Sequence, residues 1–304
     1  MRIFSKSVAL FFVCASLHCP GARADEDKIT AAAQELIEIE GKFYQTGQEK
    51  GTRAAFLEYL ADDGIMFQPE PGIAKKAWEQ RKESGVSLIW RPIFAAMARS
   101  CDFGYTTGPA EWKKSKAEEK PFGHGQFVSV WKKQADGSWK LALDVGTENP
   151  PPATEPGAPL VSVPQNGSAS ISDLETARRT LRGAQKTMGE VAKSDYTAAV
   201  MSGATDDIRL FREGVFPAVG KDAAALMLSA NKGKMLLRPI GGDLSSSGDI
   251  GYTYGKYSLT RGESTENGHY LHIWRTDATG SWKLALDLQK KLPPAAPSKR
   301  KKKA

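Results

Sequence analysis

Ile29, Ala32, Ala33, Leu36, Ile37, Phe43 and Tyr44 recur at three-and-four spacing, the period of a helix that buries one face. Glu40 is the one break in that face. Gly47 and Gly51 end the pattern, and Thr52 is placed to cap a short second helix reaching Leu60. Ile65, Met66 and Phe67 then read as a short strand and 74–82 as a third helix. From Ser87 the period changes to two, and about four strands follow, separated by Gly, Pro and charged loops.

The same order returns later in the chain. Ser172 with Glu175 forms a capping-box pattern. Leu174, Ala177, Leu181, Ala184, Met188 and Val191 draw a long apolar stripe behind it. A helix over 221–231 and strands over 235–289 complete the second set.

This is a duplication, because residues as well as patterns repeat. Gly137-Ser138-Trp139-Lys140-Leu141-Ala142-Leu143-Asp144 recurs at Gly280-Ser281-Trp282-Lys283-Leu284-Ala285-Leu286-Asp287. Residues 91–108 align without gaps on 238–255, with nine of eighteen positions identical. The duplicated unit runs over about 28–148 and 172–290, the length of a domain rather than of a solenoid repeat. Each octapeptide follows a turn ending in Gly137 or Gly280, so each unit closes on a β-hairpin. Strict alternation would put Trp139, Leu141, Leu143 and Val145 on one face of the last strand and Lys140, Ala142 and Asp144 on the other.

Helix, helix, strand, helix and then a curved antiparallel sheet ending in Gly-x-Trp-x-hydrophobic resembles the nuclear-transport-factor-like superfamily. That group includes ketosteroid-isomerase-like and SnoaL-like domains and the family called domain of unknown function 4440. The resemblance rests on Asp62-Asp63 before a short strand, on Gly104-Tyr105-Thr106-Thr107-Gly108, and on Trp131 with Asp136-Gly137-Ser138-Trp139-Lys140-Leu141. It implies an α+β fold: two repeated cone-shaped domains, each a curved antiparallel sheet packed by about three N-terminal helices around a pocket. It also implies pairing of cones through their sheets, which two copies in one chain could do as an intrachain pseudo-dimer.

The expected organisation is a targeting segment over 1–24, a first cone over 25–148, a proline-rich linker over 149–171, a second cone over 172–290 and a basic tail over 291–304. Arg2 and Lys6, the apolar run 8–13 and Ala22-Arg23-Ala24 form a signal-peptide pattern, with cleavage expected after Ala24 and a periplasmic or secreted destination. No run approaches the roughly 20 apolar residues that span a bilayer. Cys14 and Cys19 would leave with the signal, so Cys101 alone remains and no intramolecular disulfide is expected. The 42 basic and 35 acidic residues give +7. Three bases lie in 1–24 and seven in 290–304, which leaves 32 against 35, a balance of −3. The domains themselves therefore have no basic surplus with which to hold nucleic acid. The proline-stiffened linker is expected to let each core unfold by itself, so that loss of Trp139 or Trp282 would weaken its own repeat alone.

Family enzymes use a pocket Asp, His or Tyr as acid or base, and an apolar cavity moves a buried carboxyl toward neutrality. The resemblance nominates Asp63 and Asp207 as catalytic candidates, although an aspartate just before a strand is more often a turn or cap residue. Tyr105, His124, Trp131, Asp144, Tyr252, His272, Trp274 and Asp287 are the ligand-binding candidates. The histidines do not correspond between repeats: His272 falls opposite Ser129. No histidine or cysteine spacing suits a metal, and no phosphate loop suggests a cofactor. The pattern leads to an exported protein holding a small, largely apolar ligand in one or both cones without clear catalysis. Its alternatives are an isomerase, hydratase or cyclase using a pocket Asp with Tyr or His, and a structural or interaction module with filled cones.

Overall fold

The computed structural model describes residues 20–153, 157–162, 171, 173–230 and 232–293. The fold is α+β, with six helices and two sheets among them. In the first repeat the long helix α1 (Pro20–Lys50) and the short α2 (Thr52–Tyr59) run directly into β1 (Leu60–Phe67). After β2 (Pro71–Ile73) and α3 (Lys75–Gln80) come β3 (Ser87–Trp90), β4 (Phe94–Met97), β5 (Phe103–Lys113), β6 (Gly123–Lys133) and β7 (Trp139–Asn149). The linker contributes β8 (Leu160–Ser162), which joins this sheet beside β4. The second repeat lays out α4 (Leu174–Ala192), α5 (Tyr196–Gly203), β9 (Ala204–Arg212), β10 (Ala218–Val219), α6 (Lys221–Ser229), β11 (Lys234–Leu244), β12 (Ile250–Arg261), β13 (Ser264–Thr276) and β14 (Trp282–Lys291).

The sheet orders coincide once β8 and the split edge strand are allowed for. The first runs β2-β1-β7-β6-β5-β4-β8, with β3 also on β5, and the second runs β10-β9-β14-β13-β12-β11. In both, the last strand pairs parallel with the first long one and antiparallel with its predecessor. Glycines of the shared motif explain part of the identity. A Cβ on Gly108 would stand 2.0 Å from the Arg91 carbonyl oxygen, and one on Gly255 2.2 Å from that of Arg238. Only glycine lets the neighbouring strand approach so closely.

Local chemistry departs from expectation at several points. Gly51, at φ 95°, precedes α2 and Thr52 is its first residue, because the left-handed turn there needs glycine. Asp173 rather than Ser172 caps α4, its carboxylate accepting from the N–H groups of Glu175 and Thr176. Ser172 itself lies outside the described residues, as do 1–19, 163–170 and 294–304, and with them most of the expected signal, part of the linker and most of the tail. No described helix is long and apolar enough to cross a membrane.

The correction with most consequence concerns the last strand. A bulge interrupts the β6–β7 ladder, where Val130 pairs with Leu143 but Trp131 with Leu141. The extra residue, Ala142, reverses the alternation. Trp139 and Leu141 enter the core between sheet and helices, while Leu143 and Val145 turn to the outer face. Asp144 is thereby delivered to the inside of the cone. The second repeat carries the same bulge, between Ile273 and Trp274 on β13, with Ala285 unpaired.

The outer faces do not meet water. Phe94, Phe103, Tyr105, Val128, Val130, Leu143 and Val145 of the first sheet form one buried cluster with Phe211, Ile250, Tyr252, Leu271, Ile273, Leu286 and Leu288 of the second. Polar bonds border it: Lys132 Nζ to Asp243 at 2.5 Å, Glu70 to Lys256 at 2.8 Å, and Ser247 Oγ to Ser100 Oγ at 2.9 Å. This shared cluster argues against the expectation of separate cores, since cores joined by buried apolar surface tend to unfold together.

Candidate functional site

The concave side of each sheet faces its own helices, and the two interiors are built from equivalent positions with different residues. In the first repeat α1 carries Glu40 into the cone, fully buried. Its carboxylate accepts from Trp90 Nε1 at 2.6 Å, Thr106 Oγ1 at 2.6 Å and Trp131 Nε1 at 2.8 Å. An indole N–H can only donate, so an acceptor is required here. Burial raises the pKa of Glu40, and the three donors hold it back.

Asp144 lies on the same inner face. Ser129 Oγ donates to it at 3.1 Å, and no ion pair reaches it among the described residues. Burial first, and the charge of Glu40 second, push its pKa from 3.8 up to about 7. Beside it opens a cavity of about 300 Å³. Phe43, Phe56, Trp78, Trp90 and Phe127 are its apolar wall, Asp144 and Ser129 its polar end. Phe56 and Trp78 stack at 4.3 Å, and Phe43 meets Trp90 edge-on at 4.9 Å, so the wall is made of packed aromatic rings. Arg53, Arg81, Lys82 and Lys290 stand among the lining residues nearer solvent, with Glu83 and Glu148.

In the second repeat larger side chains occupy the equivalent interior and leave a smaller cavity of about 170 Å³, lined by Tyr196, Arg212, Tyr257 and Gln289. Gln185 replaces Glu40: Trp274 Nε1 donates to Thr253 Oγ1 at 3.1 Å, and Thr253 donates to Gln185 Oε1 at 2.6 Å. His272, opposite Ser129, reaches Gln185 at 2.9 Å with Nδ1 and Asp287 at 3.5 Å with Nε2. Arg212 Nη2 grips the Asp287 carboxylate at 2.6 Å, and the Tyr196 hydroxyl donates to the same oxygen. Gln289 Nε2 donates to Tyr196 at 2.6 Å. Burial alone would push Asp287 up, but Arg212, with His272 and Tyr196, holds its carboxyl well below the ordinary range.

The two interiors differ for a simple reason of size. Where the second repeat places Tyr196, Tyr257, His272 and Gln289, the first places Thr52, Ala110, Ser129 and Gly146, and all four line its cavity. Gln68 stands where Arg212 does, so the same aspartate of the same octapeptide is neutralised in one repeat and left unpaired in the other.

The residues expected at the site are therefore redistributed. Asp63 is exposed on β1, and Asp207 is held by Arg275 at the surface; neither enters a cone, because the strand residues that turn inward lie beyond them. Tyr105 and Tyr252 belong to the cluster between the sheets, on the face opposite the cavity. His124 sits at the start of β6, 3.7 Å from Glu111 and outside the first cavity. Trp131 and Trp274 do lie inside, as the donors described above, and Asp144, Asp287 and His272 lie inside as well. Glu40, Ser129, Gln185, Tyr196 and Arg212 are added by the structure. Only Glu40 had left a trace, as the break in an apolar helical face.

No family model matches the chain, and no curated protein does either. Solved structures do match. The chain is similar to proteins of the nuclear-transport-factor-2-like and ketosteroid-isomerase-like group. An NTF-2-like protein of unknown function from Shewanella oneidensis has 16% identity and a TM-score of 0.33, over 37% of this chain and 97% of that one. A ketosteroid isomerase-like protein from Erwinia carotovora has 22% identity and a TM-score of 0.33, over 40% and 98%. A Δ5-3-ketosteroid isomerase from Mycobacterium has 16% identity and a TM-score of 0.31, over 36% and 91%. Among the described residues no group of side chains is arranged to hold a metal ion.

Proposed function

We propose that the first repeat binds one small, ring-containing and largely apolar molecule, presenting a hydroxyl or carbonyl to Asp144, and that the second repeat serves as its structural partner. The observation that carries this reading is the contrast at one repeated aspartate. Asp287 is ion-paired with Arg212 and accepts from Tyr196, whereas Asp144 ends an open aromatic cavity with Ser129 as its side-chain partner. A concave apolar site with a few convergent polar groups is the form a small-molecule pocket takes. We read the repeats as cones over 25–148 and 172–290 that pair through their sheets as an intrachain pseudo-dimer, a reading supported by the shared cluster. The basic start, apolar run and Ala-x-Ala pattern support export.

A second reading has a specific observation behind it. A carboxyl with a pKa of about 7 takes up and releases protons at neutral pH. Asp144, not Asp63 or Asp207, is then the acid-base group for an isomerase-like or dehydratase-like proton transfer, with burial first and Glu40 second keeping its pKa high.

The binding test uses 2-naphthol, a fused ring bearing one hydroxyl, titrated into the full chain. Saturable binding at a single site per chain is expected. It should vanish in Ala110→Tyr, which copies Tyr257 into the first cavity, while the thermal midpoint is retained. Equal binding by the variant would place the probe elsewhere and refute the assignment.

A further inference from the structure

The two repeats treat the far edge of their sheets differently. In the first, β8 of the linker lies along β4 in parallel, with Leu160 N–H donating to the Ile93 carbonyl at 2.9 Å. Val161 packs against the core beneath α1, and Arg275 donates to Ser162 at 2.7 Å. In the second, β11 ends the sheet, and no strand lies beyond it among the described residues. Ile240 stands where Ile93 does, and residues 241–243 where Phe94, Ala95 and Ala96 do. Pro239, like Pro92, has no N–H to give, and the edge that matches the β4–β8 ladder lies after it. Beyond it Gly241 and Gly242 offer a backbone without side chains.

Between this edge and α4 runs an open groove of about 550 Å³. Leu237 and Ile240 contribute apolar surface, Leu237 half-buried and Ile240 50% exposed. Arg178, Arg182, Lys186 and Lys193 face the groove against Asp243 and Glu190, a surplus of two positive charges. Asp243 is already held by Lys132 and Arg178, and Glu190 by Lys193. The chain's own basic tail, with Lys299, Arg300, Lys301, Lys302 and Lys303, is repelled by such a groove.

We propose that the β11 edge and the groove beside α4 receive an extended segment of a partner protein, alternating apolar and acidic side chains, which adds as a strand in the place that β8 holds in the first repeat. Main-chain bonds to β11 would hold the segment, inward apolar side chains would cover Leu237 and Ile240, and its carboxylates would meet Arg182 and Lys186.

The probe is a fluorescein-labelled peptide of alternating valine and glutamate, titrated into the full chain and followed by anisotropy. Saturable binding is expected, together with slowed amide exchange in 241–244. Binding should weaken roughly tenfold in Arg182→Glu/Lys186→Glu. These exposed helix positions leave the fold intact, which the thermal midpoint checks. The same peptide N-methylated on alternate backbone nitrogens should fail to bind. The proposal is overturned by an absence of saturable binding, by equal binding of the N-methylated peptide, by equal affinity for the charge-reversed variant, or by equal binding of a valine-lysine peptide.

Discussion

Replacing the same aspartate by asparagine in the two repeats should have opposite effects. Asp144 has its pKa moved from 3.8 to about 7 by burial and by Glu40. At about 1.36 kcal/mol per pH unit, that shift corresponds to roughly 4 kcal/mol. The sign follows from proton counts. Between 3.8 and about 7 the folded chain holds a proton that the unfolded chain has released, so stability falls as pH rises and levels off above about 7. An asparagine amide in the same place carries no charge to desolvate. Asp144→Asn should therefore change stability by less than about 1 kcal/mol near pH 4 and stabilise by up to about 4 kcal/mol near pH 8. Asp287→Asn removes the partner of a buried guanidinium and should cost about 3–5 kcal/mol near neutral pH. Because the folded pKa of Asp287 is depressed, its contribution is present above 3.8 and is lost as pH falls further. Urea unfolding of both variants and the parent, from pH 4 to pH 8, measures these differences. A benefit of Asp144→Asn that does not grow with pH, or a loss at pH 8, would mean that the carboxylate is solvated and the cavity reading is wrong.

Two further outcomes follow from the same geometry. Trp139→Ala and Trp282→Ala should each cost about 3–5 kcal/mol and shift one common calorimetric transition, because the sheets share a core; two separate transitions would show that the shared cluster does not couple the repeats. Glu40→Gln should lower the pKa of Asp144 by removing the neighbouring charge, and should cost about 1–3 kcal/mol by setting an amide N–H₂ against one of the two indole donors. Carbon-detected NMR titration of the Asp144 carboxyl gives the first effect, and an unmoved pKa would show that the two carboxyls do not interact.

Repetition made the architecture readable before any coordinates. Two copies of one octapeptide, an ungapped block with shared glycines and helical stripes in matching order establish two α+β units, and local periodicity suffices because each element buries one face of its own. Glu40 was visible as a polar break in such a stripe, but its meaning depended on Trp90, Thr106 and Trp131, which are 50, 66 and 91 residues away. Alternation failed at Ala142 because a bulge is a property of the ladder between two strands, not of either sequence alone, and that one residue decides which way Asp144 faces. The fate of the repeated aspartate was likewise tertiary. The same seven residues precede Asp144 and Asp287, yet among the described residues Arg212, Tyr196 and His272 converge on one and Ser129 on the other, because the charge state of a buried carboxyl is set by what packs against it across the fold.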